Sequence, residues 1–272
     1  MILTFLGWAY PLNSTILAYD QLKELDPYHP VSLVLNCQNF YYKEYSSGAD
    51  IVFEDAYPVG INATWSIPWG TPCNLTYGDC GCDNCVGELE DVSDRLDDLQ
   101  HYQANLQGEG SKPTWAVIQA FGEQDYWKRI PSSAEVENMM MLSVNHNAKG
   151  ITYWIYPSTD EINVGSGQLG KVFQTEPGIN FLFGANAIKG LPTAGEVLID
   201  ASAWIVDKQM MVGIASGEYV DSSTVVSIKL PASASSVEQV LYGDSGWTVT
   251  GNTLSKPGLK GLEVDVVVLN LS

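Results

Sequence analysis

The sequence predicts a mixed α/β chain: parallel strands wrapped by helices, then a small antiparallel β-sandwich. Three observations carry that reading. A strand-then-helix rhythm runs to about residue 187. Its strands are continuously apolar rather than alternating, which marks strands covered on both faces. After Gly190 the texture changes to short β-branched runs separated by Gly, Ser, Pro or Asp, the pattern of an antiparallel sandwich. The break falls near Gly190-Leu-Pro-Thr193 and divides the chain into 1–190 and 191–272.

The elements follow in order. Ile2 to Trp8 is an apolar strand. Asn13 can cap a helix that runs through Leu25 and is stopped by Pro27. Val31–Leu35 is the next strand, Gln38–Tyr45 a short helical segment, and Asp50–Asp55 a third strand. Over Glu88–Leu106, Leu89, Val92, Leu96, Leu99 and Gln103 recur at helical spacing with acids opposite. Pro113–Phe121 is a strand. Ser132 and Glu135 form a capping box that opens a helix to about Asn147. Gly150–Tyr156 is the fifth strand; the glycines at Gly165-Ser-Gly167 read as a flexible connector, and Gln168–Ile188 as helix interrupted by Pro177 and Gly178. Beyond Gly190, the strands are Glu196–Asp200, Gln209–Ala215, Thr224–Leu230, Val237–Tyr242, Trp247–Thr250 and Leu262–Leu269.

Composition narrows the partners. The chain has 272 residues, 45% apolar and 17% charged, enough for a sizeable core. A net charge of −19 without clustered Lys or Arg argues against nucleic acid and against an anionic membrane. No run of about 18 apolar residues occurs, so no spanning helix is expected. A neutral partner such as a sugar is compatible, and 8 Trp with 14 Tyr supply the flat rings that suit sugar faces.

Cysteines and sequons point to a compartment. Cys73, Cys80, Cys82 and Cys85 crowd into one loop, and Cys37 stands apart. Two disulfides pinning a surface loop, with the pairing left open, are favoured over a zinc knuckle, because no His lies nearby. Asn-X-Ser/Thr sequons fall at Asn13, Asn62, Asn74 and Asn270. Met1–Tyr10 lacks a basic start and a small-residue cleavage site, so it is a poor signal peptide.

Four stretches carry a resemblance: Leu25-Asp-Pro-Tyr-His-Pro-Val31, Ala49-Asp-Ile-Val-Phe-Glu-Asp-Ala-Tyr-Pro58, Trp115-Ala-Val-Ile-Gln-Ala-Phe-Gly122 and Ala148-Lys-Gly-Ile-Thr-Tyr-Trp154. In that order they resemble the later strands of a TIM-barrel glycoside hydrolase, and the chain looks like secreted fungal proteins with such a catalytic core followed by a β-sandwich. The resemblance implies a partial (β/α)8 barrel: Ile2–Trp8 as the fourth strand, then Val31–Leu35, Asp50–Asp55, Thr114–Phe121 and Gly150–Tyr156 as the fifth to eighth. A barrel closes only with eight strands. The resemblance therefore implies an absent N-terminal part, or a partner that supplies it, and allows self-association through the open sheet edges. It also implies an extracellular protein, a glycan ligand and no cofactor.

Glycoside hydrolysis uses two carboxyl groups, set in a barrel at the carboxyl ends of strands. The resemblance implies the acid at the end of the fourth strand and the nucleophile at the end of the seventh. Yet Met1 to Tyr19 contains no Asp or Glu, and the seventh strand offers Gln119, an amide. The chain therefore reads as catalytically incomplete, with a non-catalytic glycan-binding protein as the alternative. Asp55 and Glu123 are the remaining catalytic candidates. Asp55 follows an apolar strand and fits a base, a sugar-hydroxyl acceptor or a cap. Glu54 should point to the opposite side, toward a helix-layer cation. Tyr57, Gln119, Trp127 and Trp154 are the candidates for holding a sugar. Trp65 and Trp69 lie in a ring-rich loop. His29 reads as a turn residue, and His101 and His146 as surface.

Overall fold

The computed structural model describes residues 2–5, 11–35, 41–74, 80–106, 111–195 and 197–272. The chain begins β1 (Ile2–Phe5), α1 (Ser14–Leu25), β2 (Ser32–Leu35), α2 (Tyr42–Ser46) and β3 (Ile51–Glu54). A hairpin of β4 (Trp65–Ser66) and β5 (Thr71–Pro72) comes next. Then follow α3 (Asp91–Asn105), β6 (Thr114–Gln119), α4 (Ser133–Asn145), β7 (Ile151–Trp154), α5 (Asp160–Gln174) and α6 (Gly178–Gly184). The remaining strands are β8 (Thr193–Ala194), β9 (Ile199–Val206), β10 (Gln209–Ser216), β11 (Val226–Lys229), β12 (Ala234–Tyr242), β13 (Thr248–Thr250), β14 (Thr253–Lys256) and β15 (Val264–Leu271).

Contacts gather the chain into two compact units, 1–131 with 148–156, and 132–147 with 157–272. The first holds a five-stranded sheet in the order β1-β2-β3-β6-β7. Every neighbouring pair is parallel. Parallel neighbours need crossover connections, which accounts for the strand-then-helix rhythm. Alternate residues of one strand feed two different cores. Leu33, Leu35 and Val52 pack with Tyr42, Tyr45 and Leu99 on the helix side. Val34, Phe53 and Val117 pack with Tyr57 and Phe121 on the other. Both faces are thus covered, and the strands read as unbroken apolar runs.

Local signals explain where helices start. Asp91 accepts backbone N–H bonds from Val86 (3.0 Å), Gly87 (2.8 Å) and Glu88 (3.2 Å), so the turn before α3 is closed by a side chain and the helix starts at Asp91. The capping box at Ser132 and Glu135 is present in both directions. Asp26 accepts the N–H groups of Tyr28 and His29, which makes His29 a turn residue. The expected segment at Gln38–Phe40 and the end of the first strand at Leu6–Trp8 lie outside the described residues.

The second unit contains two four-stranded antiparallel sheets, β12-β15-β10-β9 and β13-β14-β11-β8. Met210, Val212, Ile214, Val267 and Leu269 of one sheet share a core with Val226, Ile228 and Leu254 of the other. Helix α4, which precedes Gly190 in sequence, packs on the opposite face of β10 and β9. Gly213 permits that approach: a Cβ there would meet Met141 Cε at 2.4 Å and Asn145 Oδ1 at 2.6 Å.

Several expectations are corrected. Gly165 and Gly167 are not a connector; they lie inside α5. Thr159 caps that helix, accepting the Ile162 N–H at 3.3 Å, and Asp160 and Glu161 occupy its first turn. Gly165 lies so close to Ser133 and Glu137 of α4 that a Cβ would fall 2.1 Å from a Glu137 oxygen. His146 is not a surface residue; its Nε2 lies 2.9 Å from Asp200 Oδ2. Strand β9 runs on to Val206, and β14 has no counterpart in the expected strands.

Gly213→Ala should lower stability by about 1–3 kcal/mol, because the added methyl overfills a closed contact. Gly167→Ala meets nothing within 4 Å and should stabilise α5 by roughly 0.5–1 kcal/mol. Thermal melts of both variants check the pair, and equal effects would refute the packing account.

Candidate functional site

Glu54 and Asp55 stand at the carboxyl end of β3, Gln119 at that of β6 and Trp154 at that of β7; Gln119 is the register partner of Trp154, whereas Glu54 lies opposite Ala116. Glu54 is fully enclosed and Asp55 only 9% exposed. Glu54 Oε2 accepts the Ala56 N–H at 2.7 Å. Its Oε1, and Asp55 Oδ1, have no hydrogen-bond partner among the described residues. Burial drives the Glu54 carboxyl well above its usual range, with the Ala56 bond and the Arg95 guanidinium acting against it and Asp55 adding to it. Burial also raises Asp55 to about 7; Arg95 opposes this and Asp83 reinforces it. Tyr57 is pushed up by burial and then by Asp55 and Glu54.

Arg95 arrives from α3, where it is 4% exposed. Its Nη2 donates to the Asp83 carbonyl and lies 4.0 Å from Cys85 Sγ. The cysteine loop thus meets the same guanidinium that faces the buried acids. Its bridges join Cys73 to Cys80 and Cys82 to Cys85, so these sulfurs are bonded to one another rather than available as a zinc knuckle. Cys37 lies outside the described residues.

Gln119 is fully enclosed and fully engaged. Its Oε1 accepts the Val59 N–H at 2.8 Å, and its Nε2 donates to the carbonyls of Val59 (3.0 Å) and Phe121 (3.2 Å). The amide is a clamp on the loop after β3, and it presents nothing to a ligand. Trp127 continues the clamp. Its indole N–H donates to the Tyr57 carbonyl at 2.8 Å, and its ring lies edge-on to Phe121, with centroids 4.7 Å apart. Tyr57 meets Phe121 edge-on at 5.2 Å. Lys128 N–H bonds the Gly60 carbonyl at 3.0 Å, and Gly122 has Arg129 O where a Cβ would stand, 2.0 Å away.

The other candidates scatter. Glu123 is exposed at a left-handed turn (φ 58°), and the charges acting on Asp55 are Arg95 and Asp83. Trp154 is 50% exposed, and its carbonyl accepts the Ala120 N–H at 2.6 Å. Asn13 and Asn74 are exposed. Asn62 Oδ1 accepts N–H bonds from Thr64 and Trp65, whereas the Asn270 amide donates to Glu238 at 2.6 Å and to Ser236. Sequence reasoning missed Arg95 and Asp83. The available signal was that Arg95 is the lone Lys or Arg in the acidic stretch Glu88–Leu106.

No family model matches the sequence, and no curated protein matches it. Solved structures do match in fold. Eubacterium rectale Amy13B has a TM-score of 0.57 at 9% identity, covering 100% of this chain and 60% of that one. AmyP, solved in complex with maltotriose, gives 0.55 at 9% identity, covering 100% and 64%. The maltogenic α-amylase AmyB of Thermotoga neapolitana gives 0.54 at 10% identity, covering 100% and 61%. These neighbours are glycoside hydrolases, and at such identity the likeness is one of fold. The chain spans about three fifths of their length.

Asp55 ties pH to stability. Its carboxyl holds a proton more tightly when folded than in the unfolded chain, so stability should fall as pH rises from about 4 through about 7. Asp55→Asn has no proton to lose and should recover up to roughly 4 kcal/mol of that fall by pH 8. Urea midpoints at pH 5 and pH 8 measure it; identical pH slopes for variant and parent would refute it.

Proposed function

We propose that this chain is a glycoside-hydrolase-like protein that binds a neutral glycan and is catalytically incomplete. In this reading β1, β2, β3, β6 and β7 are strands four to eight of a (β/α)8 barrel, and the antiparallel sheets are its C-terminal sandwich, near residues 191–272. The observation that carries the reading is the enclosed Glu54–Asp55 pair at the carboxyl end of the middle strand of a parallel sheet. That end is where barrel enzymes build their sites, and paired carboxyls with displaced titration are characteristic of such sites.

Asp55 would accept sugar hydroxyls, and the exposed Trp154 ring would take a pyranose face, its indole suited to stacking and to one hydrogen bond. Tyr57 and Trp127 would shape the wall. Hydrolysis requires two carboxyls across the scissile bond. The end of β6 supplies Gln119 instead, and Met1–Tyr19 supplies no acid. Two disulfides and the sequons Asn13, Asn62 and Asn74 support an oxidising, extracellular setting. β1 and β7 each pair on one side among the described residues, which supports association through those edges. A second reading, an O-glycosyl hydrolase with Asp55 as its acid, is favoured by one fact: a carboxyl titrating at about 7 can hold and release a proton near neutrality.

Affinity electrophoresis in soluble starch, laminarin, xylan and galactan, alongside a reducing-end assay, tests the proposal. The expected result is saturable retardation without release of reducing ends, weakened roughly 3–10-fold by Trp154→Ala. Release that Asp55→Asn abolishes would replace it with the hydrolase reading. No retardation by any of the four polymers would overturn both the binding role and its site.

A further inference from the structure

The hairpin of β4 and β5 contributes no residue to the site described above, yet it carries three exposed apolar side chains. Trp65 is 46% exposed, Ile67 61% and Trp69 66%. Neither indole N–H has an acceptor among the described residues. The backbone beneath them is fixed. Asn62 Oδ1 takes the N–H groups of Thr64 and Trp65 and the Thr64 hydroxyl, at 3.0, 3.2 and 2.8 Å. Cys73 N–H bonds the Thr64 carbonyl at 3.0 Å, Gly70 N–H bonds the Ser66 carbonyl at 2.8 Å, and the Cys73–Cys80 bridge ties down the outgoing strand. Ser66, between the two rings in sequence, is fully buried, and its hydroxyl has no hydrogen-bond partner among the described residues. Open space lies over Gly70, where a Cβ would meet nothing within 4 Å.

From this geometry we infer a second glycan-binding surface on the hairpin, in which Trp65 and Trp69 stack on successive units of a neutral polysaccharide. The inference rests on the reading of the chain as a glycan binder and extends it to a surface apart from Asp55 and Trp154. A backbone held rigid beneath exposed rings lowers the share of the ordering cost that the chain itself would contribute when a ligand arrives. Each ring pairs a flat apolar face with an unused donor, which matches the C–H face and hydroxyls of a pyranose. The net charge of −19 disfavours acidic polysaccharides and anionic lipid and is compatible with an uncharged ligand.

The test separates this surface from the mouth by ligand length. Wild type, the Trp65→Ala/Trp69→Ala double variant, the corresponding double Phe variant and Trp154→Ala are compared on soluble starch, laminarin, xylan and galactan in native gels. Trisaccharides of the retarding polymer are then titrated calorimetrically. The double Ala variant should lose tenfold or more of its polymer retardation and keep its trisaccharide affinity; the double Phe variant, which retains flat rings, should stay within about threefold of wild type. Near-native melting of the Phe variant confirms that the hairpin still folds. Unchanged polymer retardation in the double Ala variant overturns the inference, while loss in Trp154→Ala alone leaves the mouth reading standing. Absence of retardation in wild type overturns both. A wild-type dimer in solution that Trp69→Ala dissolves assigns the surface to a second copy of the chain and overturns the glycan assignment.

Discussion

Enclosing two neighbouring carboxyl groups at the end of a strand is expensive, because each charged form loses its hydration. At Glu54 and Asp55 the cost is met partly by protonation and partly by Arg95, the cation that opposes the upward displacement of both. This requirement reaches outward through the unit. Arg95 sits on α3, so α3 must be held in a fixed register against β3. Asp91 provides this at the N-terminus by taking three backbone N–H groups, and Val92, Leu96 and Leu99 provide it along the buried face. The guanidinium in turn fixes the Asp83 carbonyl, which brings the cysteine loop to the same place.

Gln119 shows why one position of the mouth carries an amide. The Val59 segment offers it an N–H and a C=O, and Phe121 offers a further C=O. An amide has both a donor and an acceptor for this task. An ionised carboxylate has acceptors only, and would face two carbonyl oxygens inside a closed site, leaving buried polar atoms unmatched. The side chain that ends β6 is committed to holding a loop. The fixed loop after β3 and the absence of a carboxyl at the end of β6 are two consequences of one side chain.

The parallel sheet was legible because burial on both faces leaves a plain trace: Val31–Leu35 and Asp50–Asp55 read as strands between turn signals, and the structure places β2 and β3 within them. The capping box at Ser132 and the apolar spacing in Glu88–Leu106 are local chemistry, and local chemistry survives in sequence. Asp55 was legible for the same reason, as an acid where an apolar strand ends. Arg95 was not, since a cation among aspartates reads as a solvated face, and only the tertiary approach of α3 to β3 buries it. Glycines misled at Gly165, where a missing side chain serves close helix packing instead of flexibility. His146 misled because its partner, Asp200, is 54 residues away.

Helix α4 shows the same logic in the second unit. Almost every residue from Ser133 to Asn145 is buried, yet the helix is studded with polar groups. Each of several polar groups meets a partner on the sandwich or its loops. The Tyr219 hydroxyl donates to Glu135 at 2.8 Å, and the Tyr242 hydroxyl to Glu137 at 2.7 Å. Asn138 donates to the Ser216 carbonyl at 2.8 Å, and Ser202 Oγ to the Asn145 carbonyl at 2.9 Å. Apolar contact through Met139, Met141 and Leu142 would tolerate a slide along the sheet, because methionine adapts to many surfaces. Buried hydrogen bonds do not tolerate it, since each slipped pair leaves an unmatched polar atom in a closed interior. The polar pairs therefore fix the register that the methionines alone would leave loose. They also explain why a helix that precedes the compositional break at Gly190 belongs physically with the strands that follow it.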